Sequence, residues 1–229
     1  MIDFSELNLT TPEVAANGGA MLYLPGNYPE NEYFQTLDNT DVQIWAPTKG
    51  ASTKSTSRTR TEFRECRGKY VYNWAVGDFG HHWLRVAMTV TQQPRKGETT
   101  IGQIHVSDNT RPLLKLIWKK GNIVASFRQV FDQPNPVDTV IVAGVPLNTR
   151  FRYTVHVTRA GSLSINVAFT DAAQQEITGK FTAKLDASWY PRFLYLKAGV
   201  YNQEDPTETT SPEEGSKAVF HALAIEHTD

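Results

Sequence analysis

The sequence has little cysteine, no long apolar run and no excess charge of one sign. Its 229 residues include one cysteine, Cys66, which excludes an intrachain disulfide and a zinc site built from cysteines. No stretch approaches the roughly 18 apolar residues of a membrane-spanning helix, so we expect no membrane partner. Lys and Arg number 23 and Asp and Glu 24, a formal net charge of -1, which argues against a globally basic nucleic-acid binder.

Sustained helical periodicity and a leader segment are also missing. One short helix is expected, over residues 11–16, because Asn17, Gly18 and Gly19 supply a stop signal after it. Residues 1–6 lack a basic region followed by an apolar stretch, which predicts that this chain carries no signal peptide. No repeat or linker divides the sequence, so its length predicts one domain, residues 1–229.

Alternation of apolar and polar residues dominates instead. Every second residue is apolar in 150–157 and in 162–169, and residues 158–161 between them predict the turn of a β-hairpin. Further strands are expected from enrichment in β-branched and aromatic residues over 83–90, 113–118, 123–127, 137–142, 193–200 and 219–225. Many short strands separated by turns predict an all-β protein, a sandwich or jelly roll of two antiparallel sheets.

Three loops stand out by length or composition, over residues 47–57, 133–136 and 202–215. Their simplest interpretation is that they are solvated surface connections. Loops of this kind in compact domains also form walls or lids over a groove.

Three predicted strands carry reactive side chains on their polar face. Since side chains alternate along a strand, Arg60 and Arg64 share one face over roughly 13 Å. The same alternation groups the polar residues of each strand as follows: Arg60, Glu62 and Arg64; Gln103 and His105; Tyr195, Lys197 and Tyr201. A bulge at Gly199 would break the last grouping. On a concave sheet these residues would line a groove able to bind an anion and move protons, whereas on a flat sheet they would form weak, solvated salt bridges.

The three segments resemble the signature blocks of the alginate lyases of polysaccharide lyase family 7. The family's blocks are Arg-(Ser/Thr)-Glu-(Leu/Val)-Arg, Gln-(Ile/Val)-His and Tyr-Phe-Lys-Ala-Gly-Val-Tyr-Asn-Gln. Here they read RTEFR at 60–64, QIH at 103–105 and YLKAGVYNQ at 195–203. The resemblance extends from residues 7–9 to the closing strand at 220–227. The departures, Phe63 and Leu196, fall on the core-facing side and should alter packing more than chemistry.

The resemblance implies a jelly roll with a concave substrate groove, and β-elimination on alginate, an anionic polysaccharide of uronic acids. It implies these catalytic residues: Arg60, Gln103, His105 and Tyr201. Arg60 and Gln103 would neutralise or hydrogen-bond the substrate carboxylate, His105 would serve as a base, and Tyr201 would protonate the leaving oxygen. It also implies these substrate-binding residues: Glu62, Arg64, Tyr195, Lys197 and Gln203. Because Glu62 lies between two arginines, it is expected to orient them rather than to act on the substrate.

We expect no cofactor and no metal ion. We expect the protein to be a monomer. His81 and His82 are adjacent on a strand and therefore face opposite ways, which argues against a shared metal. Isoleucine at the position of Ile104 is associated within the family with guluronate-containing blocks. We therefore expect a preference for such blocks. A polymeric substrate favours a secreted or periplasmic location, which the sequence itself leaves undetermined.

Three other functions fit parts of the pattern. A non-catalytic carbohydrate-binding jelly roll would share the strands and the groove, without needing Arg, Gln, His and Tyr around one sugar. A glycoside hydrolase requires two carboxylates flanking the bond, and the polar strands offer only Glu62. A lyase for another polyuronate, such as glucuronan, would use the same chemistry on a different sugar.

Overall fold

A computed structural model describes residues 2–37 and 41–229. Met1 and residues 38–40, which the predicted domain includes, lie outside the described residues. The described residues form sixteen strands and one 3-10 turn at Ala187–Trp189. The strands are β1 (Leu7–Val14), β2 (Ala20–Tyr23), β3 (Phe34–Thr36), β4 (Val42–Pro47), β5 (Arg60–Arg67), β6 (Tyr70–Val71), β7 (His81–Gln92), β8 (Glu98–Val106), β9 (Leu114–Lys119), β10 (Asn122–Phe127), β11 (Val137–Val142), β12 (Arg150–Thr158), β13 (Ser162–Thr170), β14 (Glu176–Lys184), β15 (Leu194–Asn202) and β16 (Gly215–Thr228).

These strands build two antiparallel sheets. The first has nine strands in the order β11-β10-β9-β8-β15-β5-β1-β2, with β6 paired to β5. The second has seven in the order β14-β13-β12-β7-β16-β4-β3. The two-sheet jelly roll expected from the alternating sequence is thereby confirmed.

The core lies between the sheets and takes one face of each strand. In β7, Leu84, Val86, Met88 and Val90 are buried, and the residues between them are only partly covered. In the first sheet, Phe63 of β5 and Ile104 of β8 are fully buried, and Leu196 of β15 is 1% exposed. Because these apolar residues fill the interior, the polar residues that alternate with them face away from the core.

The hairpin predicted at residues 158–161 is confirmed, since β12 and β13 pair from Phe151 with Phe169 to Val157 with Leu163. The other predicted strands are also present, as β7, β9, β10, β11, β15 and β16. The alternation in β14, where Ile177, Phe181 and Ala183 are less exposed than their neighbours, carried a signal that our prediction missed.

The helix predicted at residues 11–16 is wrong. Residues up to Val14 belong to β1, which pairs with β5 through Leu7 to Thr10 and with β2 from Leu9 to Val14. The register with β2 shifts between Thr11 and Val14, around Pro12. Proline has no backbone N–H, and a shifted register tolerates this loss. Within residues 11–14 it is the pairing with β2 that overrides the local helix signal.

Candidate active site

Three neighbouring strands of the nine-stranded sheet, β8, β15 and β5, carry the three polar segments. On one side of β15, Tyr201 is opposite Arg60 and Lys197 is opposite Arg64. On the other side, Lys197 is opposite Gln103. These registers bring side chains from distant parts of the sequence next to one another across the sheet. The β15–β5 register runs unbroken through Gly199, and the irregularity lies on the β8 side, between Ala198 and Tyr201.

The polar faces of these strands form the floor of a cleft of about 510 Å³. Seven of the nine predicted site residues line it: Arg60, Arg64, Gln103, His105, Tyr195, Lys197 and Tyr201. Glu62 lies beneath the cleft, and Gln203 lines an adjoining cavity of about 280 Å³. The groove expected from the alternation and the resemblance is therefore present, with two of the predicted residues outside its lining.

Glu62 forms a buried ion cluster under the cleft floor. Its side chain is 1% exposed and accepts hydrogen bonds from Lys197 and Gln103 and, at 3.2 Å, from Nη1 of Arg60. Burial alone would raise the pKa of this carboxyl, but the charges of Lys197 and Arg60 lower it to about 2. Glu62 is thus ionised near neutral pH, where it pairs with its neighbours, and its burial leaves almost no surface for the substrate contact we expected.

Two arginine–tyrosine pairs flank this cluster. The Arg60 guanidinium lies 3.8 Å from the centroid of the Tyr201 ring, and the Arg64 guanidinium lies 3.6 Å from that of Tyr195. Nη2 of Arg64 also donates to Oδ1 of Asn73 at 2.8 Å. Stacking of this kind fixes a guanidinium plane while leaving its edge available to an anion.

His105 is held through one ring nitrogen. Its Nδ1 lies 2.8 Å from the carbonyl oxygen and 2.9 Å from the backbone nitrogen of Val106. It also lies 3.1 Å from the hydroxyl of Tyr195, whose ring stacks against the imidazole at an angle of 26°. Among the described residues, none hydrogen-bonds Nε2. Burial, together with the charge of Lys197, lowers the pKa of His105 to about 4. The imidazole is therefore neutral near pH 7.

The charge of the cleft differs from that of the whole chain. Its lining includes four cationic residues, Arg60, Arg64, Lys115 and Lys197, and among the described residues no Asp or Glu. With Glu62 beneath, three positive charges remain in a chain whose formal net charge is -1. This excess of positive charge favours an anionic ligand.

Lys115 is a charged residue of the cleft lining that our sequence analysis missed. It lies on β9, between the buried Leu114 and Leu116, and its Nζ donates to Oε1 of Gln203 at 3.0 Å. The signal was available, because alternation in the predicted strand 113–118 points Lys115 away from the core.

The loop at residues 47–57 forms one wall of the cleft. Thr53, Ser55 and Thr56 line it, and the Tyr201 hydroxyl lies 3.5 Å from Oγ1 of Thr56. The acidic loop at 202–215 contacts the base of this wall, since Asp205 pairs with Arg58 at 3.0 Å. Pro136, from the 133–136 turn, lines the adjoining cavity.

The remaining histidines and Cys66 lie outside the cleft. His82 is buried and stacks on Trp74 at 3.8 Å, and His81 contacts His156. Cys66 is buried and free. Within the described residues, no group of three or more His, Cys, Asp or Glu side chains is arranged to hold a metal ion. No helix in that part of the chain is long and apolar enough to cross a membrane.

Gly199 is required by the close approach of β15 to β5. A Cβ atom built on Gly199 would lie 2.5 Å from both Cα of Glu62 and the carbonyl oxygen of Thr61. We expect Gly199→Ala to lower the free energy of unfolding by about 1–3 kcal/mol, because backbone atoms must separate to admit the methyl group. Urea denaturation measures the loss. Gly77→Ala is the matched control, because nothing lies within 4 Å of a Cβ there. Equal stability of the two variants would contradict the strained approach.

Comparison with known proteins points to one family. The sequence model of a family described as alginate lyase matches residues 2–227. The chain is similar to the alginate lyase PA1167 from Pseudomonas aeruginosa, with 28% identity, a TM-score of 0.86 and coverage of 99% of this chain and 100% of that chain.

Two further solved structures share the fold. One is a variant of the family 7 alginate lyase A1-II′ in complex with the substrate GGMG, with 24% identity, a TM-score of 0.80 and coverage of 99% and 94% of the two chains. The other is the alginate lyase from Corynebacterium sp., with 18% identity, a TM-score of 0.74 and coverage of 99% and 96%. No curated protein sequence matches the chain.

Proposed function

Since this chain belongs to the alginate lyases of polysaccharide lyase family 7, we propose that it cleaves 4-O-linked uronates in alginate by β-elimination and releases unsaturated oligosaccharides. The observation that carries this proposal is that Arg60, Gln103, His105 and Tyr201 line one cleft with excess positive charge. Membership of a lyase family sets aside the non-catalytic carbohydrate-binding module.

The first requirement of the reaction is to neutralise the sugar's carboxylate. Removing the proton at C5, which is α to that carboxylate, would otherwise place a second negative charge beside the first. Arg60 and Gln103 are the proposed partners. Glu62 accepts a hydrogen bond from each of them, so both side chains are oriented before substrate arrives.

The second requirement is a base for the C5 proton and an acid for O4. The reaction requires the tautomer whose Nδ1 carries the proton and donates it to the Val106 carbonyl oxygen, and not the one whose Nδ1 accepts from the Val106 N–H at 2.9 Å. In that tautomer the lone pair on Nε2 of His105 is free to accept the C5 proton. Tyr201 would then protonate O4 as the C4–O4 bond breaks. This division suits guluronate, where the C5 hydrogen and O4 lie on opposite sides of the ring. In mannuronate they share a side, and Tyr201 alone would serve as base and acid.

We also propose a preference for guluronate-containing blocks, on the basis of Ile104 within the Gln-Ile-His segment. The Ile104 side chain is fully buried on the core side. It therefore acts on specificity only by packing, through the positions that it gives Gln103 and His105.

The proposed function is tested by counting products on pure polymannuronate and pure polyguluronate. Elimination forms one C4=C5 double bond, seen by its ultraviolet absorbance, for each new reducing end. Hydrolysis would form reducing ends without double bonds. We expect a ratio near one on both polymers and a higher rate on polyguluronate. A ratio near zero would exclude elimination, and a higher rate on polymannuronate would overturn the block preference.

The acid limb of the pH profile tests the role of His105. Because the neutral imidazole is the base and its pKa is about 4, kcat/KM on polyguluronate should stay level from pH 7 down to about 5. With an ordinary histidine pKa of about 6.5, only about a tenth of the rate would remain at pH 5.5. Initial rates between pH 4.5 and 7.5 measure this. A midpoint near 6.5 on this acid limb would contradict the buried, neutral base.

A further inference from the structure

We propose that Lys115 binds the carboxylate of the sugar that precedes the reacting one, and that Gln203 positions Lys115 for this contact. The inference rests on the proposed function, because it takes a uronate polymer as the ligand and Tyr201 as the group that protonates O4. It assigns to the cleft a second carboxylate subsite, separate from the one at Arg60 and Gln103.

Lys115 lies where two cavities meet. Its side chain lines both the catalytic cleft and the adjoining cavity of about 280 Å³, which share Thr110 and Pro112 as well. A polymer that occupies the cleft and continues past its end would therefore pass the Lys115 ammonium.

The Lys115 ammonium has an amide as its partner and cations as its neighbours. Nζ donates to Oε1 of Gln203, and among the described residues no carboxylate lies within 4.0 Å of it. In contrast, both Lys197 and Arg60 pair with Glu62. Burial, with the charges of Arg58 and Arg60, lowers the pKa of Lys115 to about 8, so the ammonium is still charged near neutral pH. An incoming carboxylate would supply the counter-charge that the protein does not.

Gln203 is built to hold Lys115. Its side chain is 5% exposed, and its Nε2 donates to the carbonyl oxygens of Tyr201 and Asn202 at 3.2 and 3.1 Å. These two bonds use the donor end of the amide and turn Oε1 toward Lys115. Gln203 is therefore a positioning residue. The direct substrate contact that we expected for Gln203 from the sequence is instead made by Lys115.

The position of Lys115 indicates which sugar it would bind. Nζ lies 5.3 Å from the centroid of the Tyr201 ring. The oxygen that Tyr201 protonates, O4 of the reacting sugar, is bonded to C1 of the preceding sugar. Two cations lie beside this phenol, Arg60 on β5 and Lys115 on β9, on opposite sides of β15. With Arg60 and Gln103 assigned to the carboxylate of the reacting sugar, Lys115, which borders the adjoining cavity, is placed for that of the preceding sugar.

Arg128, in the wall of the adjoining cavity, has a different role. Its guanidinium donates to the carbonyl oxygens of Pro112 at 2.7 Å, Gln133 at 3.0 Å and Pro134 at 3.4 Å. Three of its five N–H donors are therefore used to tie the turn at 133–136 to Pro112. Arg128 does not line the catalytic cleft, whereas Lys115 lines both the cleft and the adjoining cavity.

The test uses Lys115→Gln, Lys115→Arg and, as a control for the loss of one charge, Lys180→Gln. Lys180 is an exposed residue of β14 in the other sheet. On alginate we expect Lys115→Gln to raise KM about 10-fold with kcat changed less than about 3-fold, because a charge-assisted hydrogen bond is removed. Lys115→Arg should retain most of the affinity, and Lys180→Gln should match the wild type.

A matched pair of trisaccharides identifies the carboxylate. They differ only in whether the non-reducing sugar carries its carboxylate or a CH₂OH group, and cleavage is followed at the bond after that sugar. The wild type should prefer the carboxylate about 10-fold in kcat/KM, and Lys115→Gln should show no preference. Equal rates for the wild type on the two substrates, or an undiminished preference in Lys115→Gln, would overturn the assignment. In either case the wild type still forms double bonds, whereas failure of the proposed function would leave it forming none.

Discussion

Replacing Tyr201 with phenylalanine is expected to lower kcat on alginate by about 10³-fold while KM changes less than about 3-fold. The substitution removes only the hydroxyl that would protonate O4. The ring remains, so the Arg60 guanidinium keeps the surface on which it stacks at 3.8 Å. Within the described residues, the hydroxyl donates to Oγ1 of Thr56 at 3.5 Å, a distance too long for this bond to contribute much stability.

Steady-state rates of double-bond formation measure this effect. Tyr190→Phe is the control, because its hydroxyl donates to the Ala160 carbonyl oxygen at 2.8 Å, away from the cleft, and its removal should leave kcat unchanged. A Tyr201→Phe variant with kcat within 10-fold of the wild type would show that another group protonates the leaving oxygen.

Replacing Glu62 with glutamine is expected to destabilise the fold by about 3–5 kcal/mol, because it leaves two buried cations without their counter-charge. Lys197 and Arg60 are 6% and 8% exposed, and both donate to the same carboxylate oxygen. The amide of glutamine offers one oxygen and no charge, so it satisfies at most part of this cluster. Activity should fall as well, since Arg60 and Gln103 lose the group that orients them.

Urea denaturation gives the free energy of unfolding of the Glu62→Gln variant. The control is Glu226→Gln, which breaks an exposed ion pair with Arg85. The side chains of Arg85 and Glu226 are 39% and 48% accessible. Removing such a surface pair should cost less than about 1 kcal/mol. If Glu62→Gln cost no more than the control, Glu62 would not be the anchor of the site.

Strand alternation made part of the site predictable. A period of two is a geometric property of the strand, so the sequence alone places Arg60 and Arg64 on one face and Phe63 on the other. It does not give the order of strands in a sheet. His105 and Tyr195, which contact each other, are 90 residues apart. That they meet was implied by the resemblance of the three segments to one family, and not by their patterns.

Depth was the harder property to predict. Alternation assigns Glu62 and Arg64 to the same face, yet Glu62 is buried while Arg64 lines the cleft. The difference arises because Lys197 of the neighbouring strand β15 and Gln103 of β8, the next strand beyond it, donate to the Glu62 carboxylate and cover it. Such covering depends on side chains from three strands at once. For the same reason the sequence did not show that Lys115, on a fourth strand, lies beside Gln203 and Tyr201.

The proposed reaction requires one sugar to contact all four proposed catalytic residues at the same time. A crystal structure of Tyr201→Phe with a bound uronate oligosaccharide tests this most directly. We expect one sugar whose carboxylate bonds Arg60 and Gln103, with its C5 beside Nε2 of His105 and its O4 at the edge of the ring at position 201. An oligosaccharide bound with its carboxylates away from Arg60 and Gln103, or with C5 out of reach of both His105 and the ring at 201, would contradict it.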